Sequence, residues 1–89
     1  MDIQVLSQAA VVEAVNGEVI AVKPDGSARK IAVGDIIRGN EIVITANGSE
    51  LILGVQNNAI PIADNCVSCV DENGAWTAVP VAGEVNVDL

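Results

Sequence analysis

Two stretches of this chain carry residue types that could do chemistry. Cys66 and Cys69 form a C-x-x-C within "NCVSCV", and the chain's only four bases, Lys23, Arg29, Lys30 and Arg38, fall between positions 23 and 38. A redox C-x-x-C needs its first thiolate stabilised by a helix N-terminus or a nearby cation. Here Asp64, Asp71 and Glu72 surround the pair and no base follows position 38, so the local field favours protonated thiols. A structural zinc site needs a second cysteine pair or histidines, and the chain has neither. Two alternatives stay open: a small local disulfide between Cys66 and Cys69 in an oxidising compartment, or two half-buried thiols.

The basic window, "KPDGSARKIAVGD" extended to Arg38, also has two readings. In one, Lys23, Arg29, Lys30 and Arg38 form an anion site or partner contact. In the other they face solvent opposite Asp25, Asp35 and Glu41 on adjacent strands, each pair worth a fraction of a kcal/mol. The chain has no histidine, which removes Ser-His and Cys-His dyads and the usual general base, so an enzyme is not expected. No spacing among the twelve acids selects a catalytic pair, and "DNCVSCVDENG" lacks the ligand order of an EF-hand loop. Neither a metal nor a cofactor is expected.

The elements that hold these residues follow from composition. Fifteen Val and ten Ile in 89 residues favour pleated strands, and a length of 89 fits one domain, spanning 1–89. With Trp76 as its sole aromatic, the chain cannot build a stacking platform for bases. Net charge −8, with seven acids and no base from 39 to 89, repels phosphate backbones and anionic bilayers, so neither nucleic acid nor direct membrane insertion is expected. "MDIQVLSQAAVVEAV" lacks the basic n-region of a secretory signal and places Glu13 in its apolar run.

Three Asn-Gly pairs, at 16–17, 47–48 and 73–74, each sit between Val/Ile runs and predict three β-hairpins. "KPDGS" predicts a further turn and "VGD" (33–35) one that ends the strand after it. Strands at intervals of about 8 to 12 residues predict an all-β, small antiparallel sandwich built from hairpins. The alternation in "GEVIAVK" points Ile20 and Val22 at the core, and Ile44 in "EIVIT" is expected to be buried. "EIVITANGSELILGV" is expected to be central, and Pro61 predicts an edge strand or bulge. "PVAGEVNVDL" reads as a final strand through Val85, Val87 and Leu89 or, from about 84, as the start of a linker.

Residues 15–53 resemble the N-terminal retention module of giant RTX adhesins secreted by type I machinery. The resemblance rests on Gly17, Val19, Ala21, Val22 and Pro24 to Gly26, then Gly34 and Asp35, the strand Ile42 to Thr45, and Gly48 with Leu51 and Leu53. It implies an N-terminal plug that folds at the periplasmic face of the outer membrane, stalls in a TolC-like channel and keeps the adhesin on the cell surface. It also implies a periplasmic cysteine protease acting on a downstream linker. Ala9-Ala10 lies ahead of the matching residues and is not given that cleavage role, and the C-x-x-C is not part of the pattern. The adhesin's target, whether biofilm matrix, host surface or ice, would lie in other domains. The competing readings are a thiol-disulfide module using Cys66 and Cys69 and a generic extracellular β module binding a carbohydrate or protein.

Overall fold

A computed structural model describes residues 9–87 and contains nine strands and no helix among them. They are β1 (Ala10–Asn16), β2 (Val19–Val22), β3 (Ala28–Lys30), β4 (Ile36–Ile37), β5 (Ile42–Thr45), β6 (Glu50–Val55), β7 (Asn58–Ile62), β8 (Cys66–Val70) and β9 (Trp76–Pro80). One antiparallel sheet has the order β4-β1-β6-β7 and the other β3-β2-β5-β8-β9. The all-β architecture is as expected, and so are the interior positions of β5 and β6. Pro61 lies on β7, an edge of the four-stranded sheet, where a missing N–H does least harm.

The Asn-Gly pairs behave differently from one another. Asn73-Gly74 joins β8 to β9 in a true hairpin. Asn16-Gly17 and Asn47-Gly48 instead join strands that lie in different sheets. β1 pairs with β6 and β2 with β5, so residues 11–22 and 42–54 form one long antiparallel ladder that bends at both Asn-Gly pairs together. These are corners, and the two predicted hairpins are corrected accordingly. Strands that switch sheets need a sharp local bend, and a positive-φ residue supplies it as readily as it supplies a hairpin turn. Gly17 has φ +89°, and a Cβ there would come 3.0 Å from Ser49 Cα, so both the bend and the contact between the corners call for glycine. Ala46 N donates to Glu18 O across the bend (3.0 Å).

One hairpin has no Gly in its turn. Gln56 and Asn57, at φ 50° and 67°, connect β6 to β7 in the two-residue turn that the right-handed twist favours. The predicted turn at 23–27 joins β2 to β3, with Lys23 N donating to Ser27 O and Gly26 N to Lys23 O (both 2.9 Å). Gly34 and Asp35 form the predicted turn before β4, closed by Asp35 N to Ala32 O (3.0 Å).

The core joins inward residues of both sheets, among them Val12, Ile37, Leu51 and Leu53 from one and Val19, Ala21, Val43 and Cys66 from the other. The phase on β2 and β5 is therefore opposite to that expected. Val19, Ala21 and Val43 face the core, whereas Ile20 and Ile44, paired with each other, sit on the outer face. Ile20 is buried as expected, at 7% exposure, but outside that core cluster, while Val22 and Ile44 are half-buried. Alternation in "VIAV" and "IVIT" is silent about phase because both parities are apolar. Val12 and Ala14 flank a register shift at Glu13, whose carboxylate lies where a side chain on Gly54 would stand. A Cβ at 54 would displace only that carboxylate, the far end of an exposed and flexible side chain.

No regular strand forms between 81 and 87, so the final-strand reading is corrected for those residues; Leu89 lies outside the described residues. Val85 is nonetheless anchored. Its N–H donates to Asn65 Oδ1 and its carbonyl accepts from Asn47 N, both at 2.8 Å, at the second corner.

Candidate functional site

Three of the four bases meet in one pocket of about 340 Å³ at the seam between β3, an edge of one sheet, and β4, an edge of the other. Lys23 and Pro24 from the β2–β3 turn, Arg29, Ile36, Arg38, Asn40 and Glu41 form its wall. Lys30 is excluded by strand geometry. Arg29 pairs with Ala21, on the core face, while its neighbour Lys30 pairs with Ile20 on the outer face and reaches Glu18 (3.2 Å).

At the core face of an edge strand, Arg29 can lay its stem over apolar neighbours and carry its head to the rim. The guanidinium grips both carboxylate oxygens of Glu41, and Nη2 also donates to Ile36 O (3.1 Å), so one side chain ties the two sheets together. Glu41 is 3% exposed. Burial pushes its carboxyl up, but the Arg29 guanidinium, the Arg38 amide (3.0 Å) and the charges of Arg29 and Lys23 outweigh that and hold it below the ordinary range. The hydrogen bond to Glu41 raises Arg29 in turn. Arg29 and Glu41 thus form a partly desolvated bridge rather than the exposed pair expected.

Asp25 and Asp35 are occupied by their own turns. Asp25 accepts from the Ser27 amide (2.8 Å) and hydroxyl (2.7 Å), bonds that lower its pKa, and Asp35 accepts from the Ala32 amide (2.8 Å). Neither lines the pocket. Among the described residues Lys23 and Arg38 make no ion pair. The sequence drew attention to the bases, but Ile36, Asn40 and the burial of Glu41 follow from β4 standing beside β3, which no local pattern announces.

The cysteines are separated. Residues three apart on β8 point to opposite faces, so Cys66 joins the core and Cys69 lies half-buried outside. Both are free, and the local disulfide is corrected to two thiols. Beside Cys66 on the core face, Ser68 is fully buried and its hydroxyl has no hydrogen-bond partner among the described residues. Thr45, equally buried, is satisfied by Ala63 O (2.7 Å) and by the Cys66 amide (3.1 Å). Among the described residues no group of three or more Cys, Asp or Glu could hold a metal ion.

No family model matches this chain, and neither a curated protein nor a solved structure matches it.

Proposed function

We propose that this domain is a retention plug: the N-terminal part of a large secreted adhesin, folded on the periplasmic side and too wide to follow the rest of the chain through a TolC-like type I secretion channel. The observation that carries the reading is size. The fold measures 35 × 27 × 22 Å between Cα atoms, with a radius of gyration of 12.0 Å. A passing polypeptide needs about 10 Å, roughly the diameter of a helix with its side chains. Even the shortest axis exceeds that twofold, so folding alone would hold the chain, and the role requires no catalytic group.

Two further features support it. The motif order from Gly17 to Leu53 carries the resemblance to adhesin retention modules. The anchoring of Val85 bears on load, because a pull from the C-terminal side meets the corner at Asn47 and Asn65 before it reaches edge strand β9.

The test places Val43→Asp in the full-length adhesin, in cells lacking the release protease. Val43 is 0% exposed on the central strand of the larger sheet, so the variant unfolds the plug. Wild type stays on the surface and the variant appears in the medium at full length. An unrelated fast-folding domain in place of residues 1–89 restores retention. A variant shown to be unfolded that remains cell-bound would sink the proposal.

A further inference from the structure

We propose that the seam pocket between β3 and β4 is a binding site for a short acidic peptide segment, in which one or two carboxylates meet Lys23 and Arg38 and an intervening apolar side chain lies against Pro24 and Ile36. This goes beyond the retention reading and does not depend on it. Two of the charged groups on the pocket wall are already paired with each other. Glu41 is the one acid on the pocket wall, and the Arg29 fork and the Arg38 amide satisfy it. Arg29 is committed to Glu41 and to the Ile36 carbonyl. That leaves the Lys23 ammonium and the Arg38 guanidinium, each without an ion-pair partner among the described residues, on two different loops around one opening.

The rest of the wall selects among anions. Ile36 is 56% exposed, a large apolar surface beside two cations, which suits an acidic residue next to an aliphatic one better than a bare inorganic ion. Asn40 adds an amide that can donate to a carboxylate or pair with a peptide group. Both flanking strands are sheet edges, so the seam is bordered by backbone that an extended peptide can approach. Long polyanions are disfavoured by the chain's net charge of −8. Asp25 and Asp35, tied to their turn amides, do not line the pocket, but their charges act on Lys23 and Arg29 and weaken its field.

The probe is the peptide acetyl-Glu-Leu-Asp-amide, titrated into the whole chain at about 20 mM salt, where exposed charges are little screened, and followed by heat and by amide chemical shifts. Saturable binding is expected with Kd on the order of 1 mM, with shifts confined to the β2–β3 turn, β3, β4 and residues 38–41. Lys23→Gln with Arg38→Gln weakens it about tenfold, a difference of about 1.4 kcal/mol. Lys30→Gln, which removes the base on the other face, leaves it within about twofold, because an exposed charge outside the site contributes little. The peptide acetyl-Gln-Leu-Asn-amide does not bind. Equal binding of that neutral peptide, equal weakening by Lys30→Gln, or tighter saturation of the same residues by inorganic phosphate would each overturn the assignment.

Discussion

Removing the Arg29 head group tests the idea that one side chain, paired with Glu41 and bonded to the Ile36 carbonyl on β4, fastens the two sheets at their open seam. Arg29→Met keeps the stem that lies over the rim but leaves the Glu41 carboxylate, 4% exposed, with only the Arg38 amide as donor. Breaking a fully buried pair costs about 3 to 5 kcal/mol, and an exposed pair contributes about 0 to 1. Arg29 is 35% exposed, so water can reach part of the vacated space, and a loss of about 2 kcal/mol is expected. In a domain this small that lowers Tm by about 8 to 16 °C. Urea unfolding should show a lower midpoint with an unchanged slope, since the same surface is exposed on unfolding. Arg29→Met combined with Glu41→Leu should recover most of the loss, because no charge is then left stranded.

The pH dependence supplies a sign. The folded carboxyl of Glu41 lies below its ordinary value of 4.5, so its stabilising contribution is fully present above that value and is lost as pH falls through the lower folded one. The gap between wild type and Glu41→Gln should hold at pH 7 and close on the acid side of 4.5. Arg29→Met within about 0.5 kcal/mol of wild type, the scatter of ordinary surface changes, or a gap that ignores pH, would refute the reasoning.

Adjacent residues on β5 should separate core from surface. Val43→Asp places a carboxylate among aliphatic side chains at a cost of several kcal/mol, enough to unfold much of a domain worth about 5 to 13 kcal/mol in total, whereas Ile44→Asp, on the half-buried outer face, should lose about 1 kcal/mol and stay folded by circular dichroism. Similar behaviour of the two variants would mean that the phase of β5 is wrong. Ser68→Ala removes a buried hydroxyl without a partner and should raise stability by about 1 kcal/mol; a loss of that size would reveal a partner for the hydroxyl. For the thiols, Cys69 should be alkylated in the native state and Cys66 only on unfolding, with no intramolecular disulfide after mild oxidation. Loss of two hydrogens by mass spectrometry, with the fold intact, would contradict the placement of the two on opposite faces.

The sequence by itself determined that this chain makes strands and where most of them turn. Dense Val and Ile, the Pro-Asp-Gly at 24–26, the Gly-Asp at 34–35 and Pro61 act over a few residues through backbone dihedrals and lost N–H donors, so they can be read locally. It also narrowed the chemistry, since the absence of histidine and the clustering of every base in one window are properties of composition and order alone. Tertiary structure decided the rest. Asn-Gly specifies a bend but not whether the strands on either side pair with each other, and at 16–17 and 47–48 the partner that takes the hydrogen bonds is another bent strand some thirty residues away. The side of β5 that faces inward was equally undetermined, because "IVIT" offers apolar groups to both faces and only the opposing sheet chooses between them. So with the site: Arg29 and Lys30 are equivalent as letters, yet the pleat and the register with Ala21 and Ile20 send one to a buried carboxylate and the other into solvent.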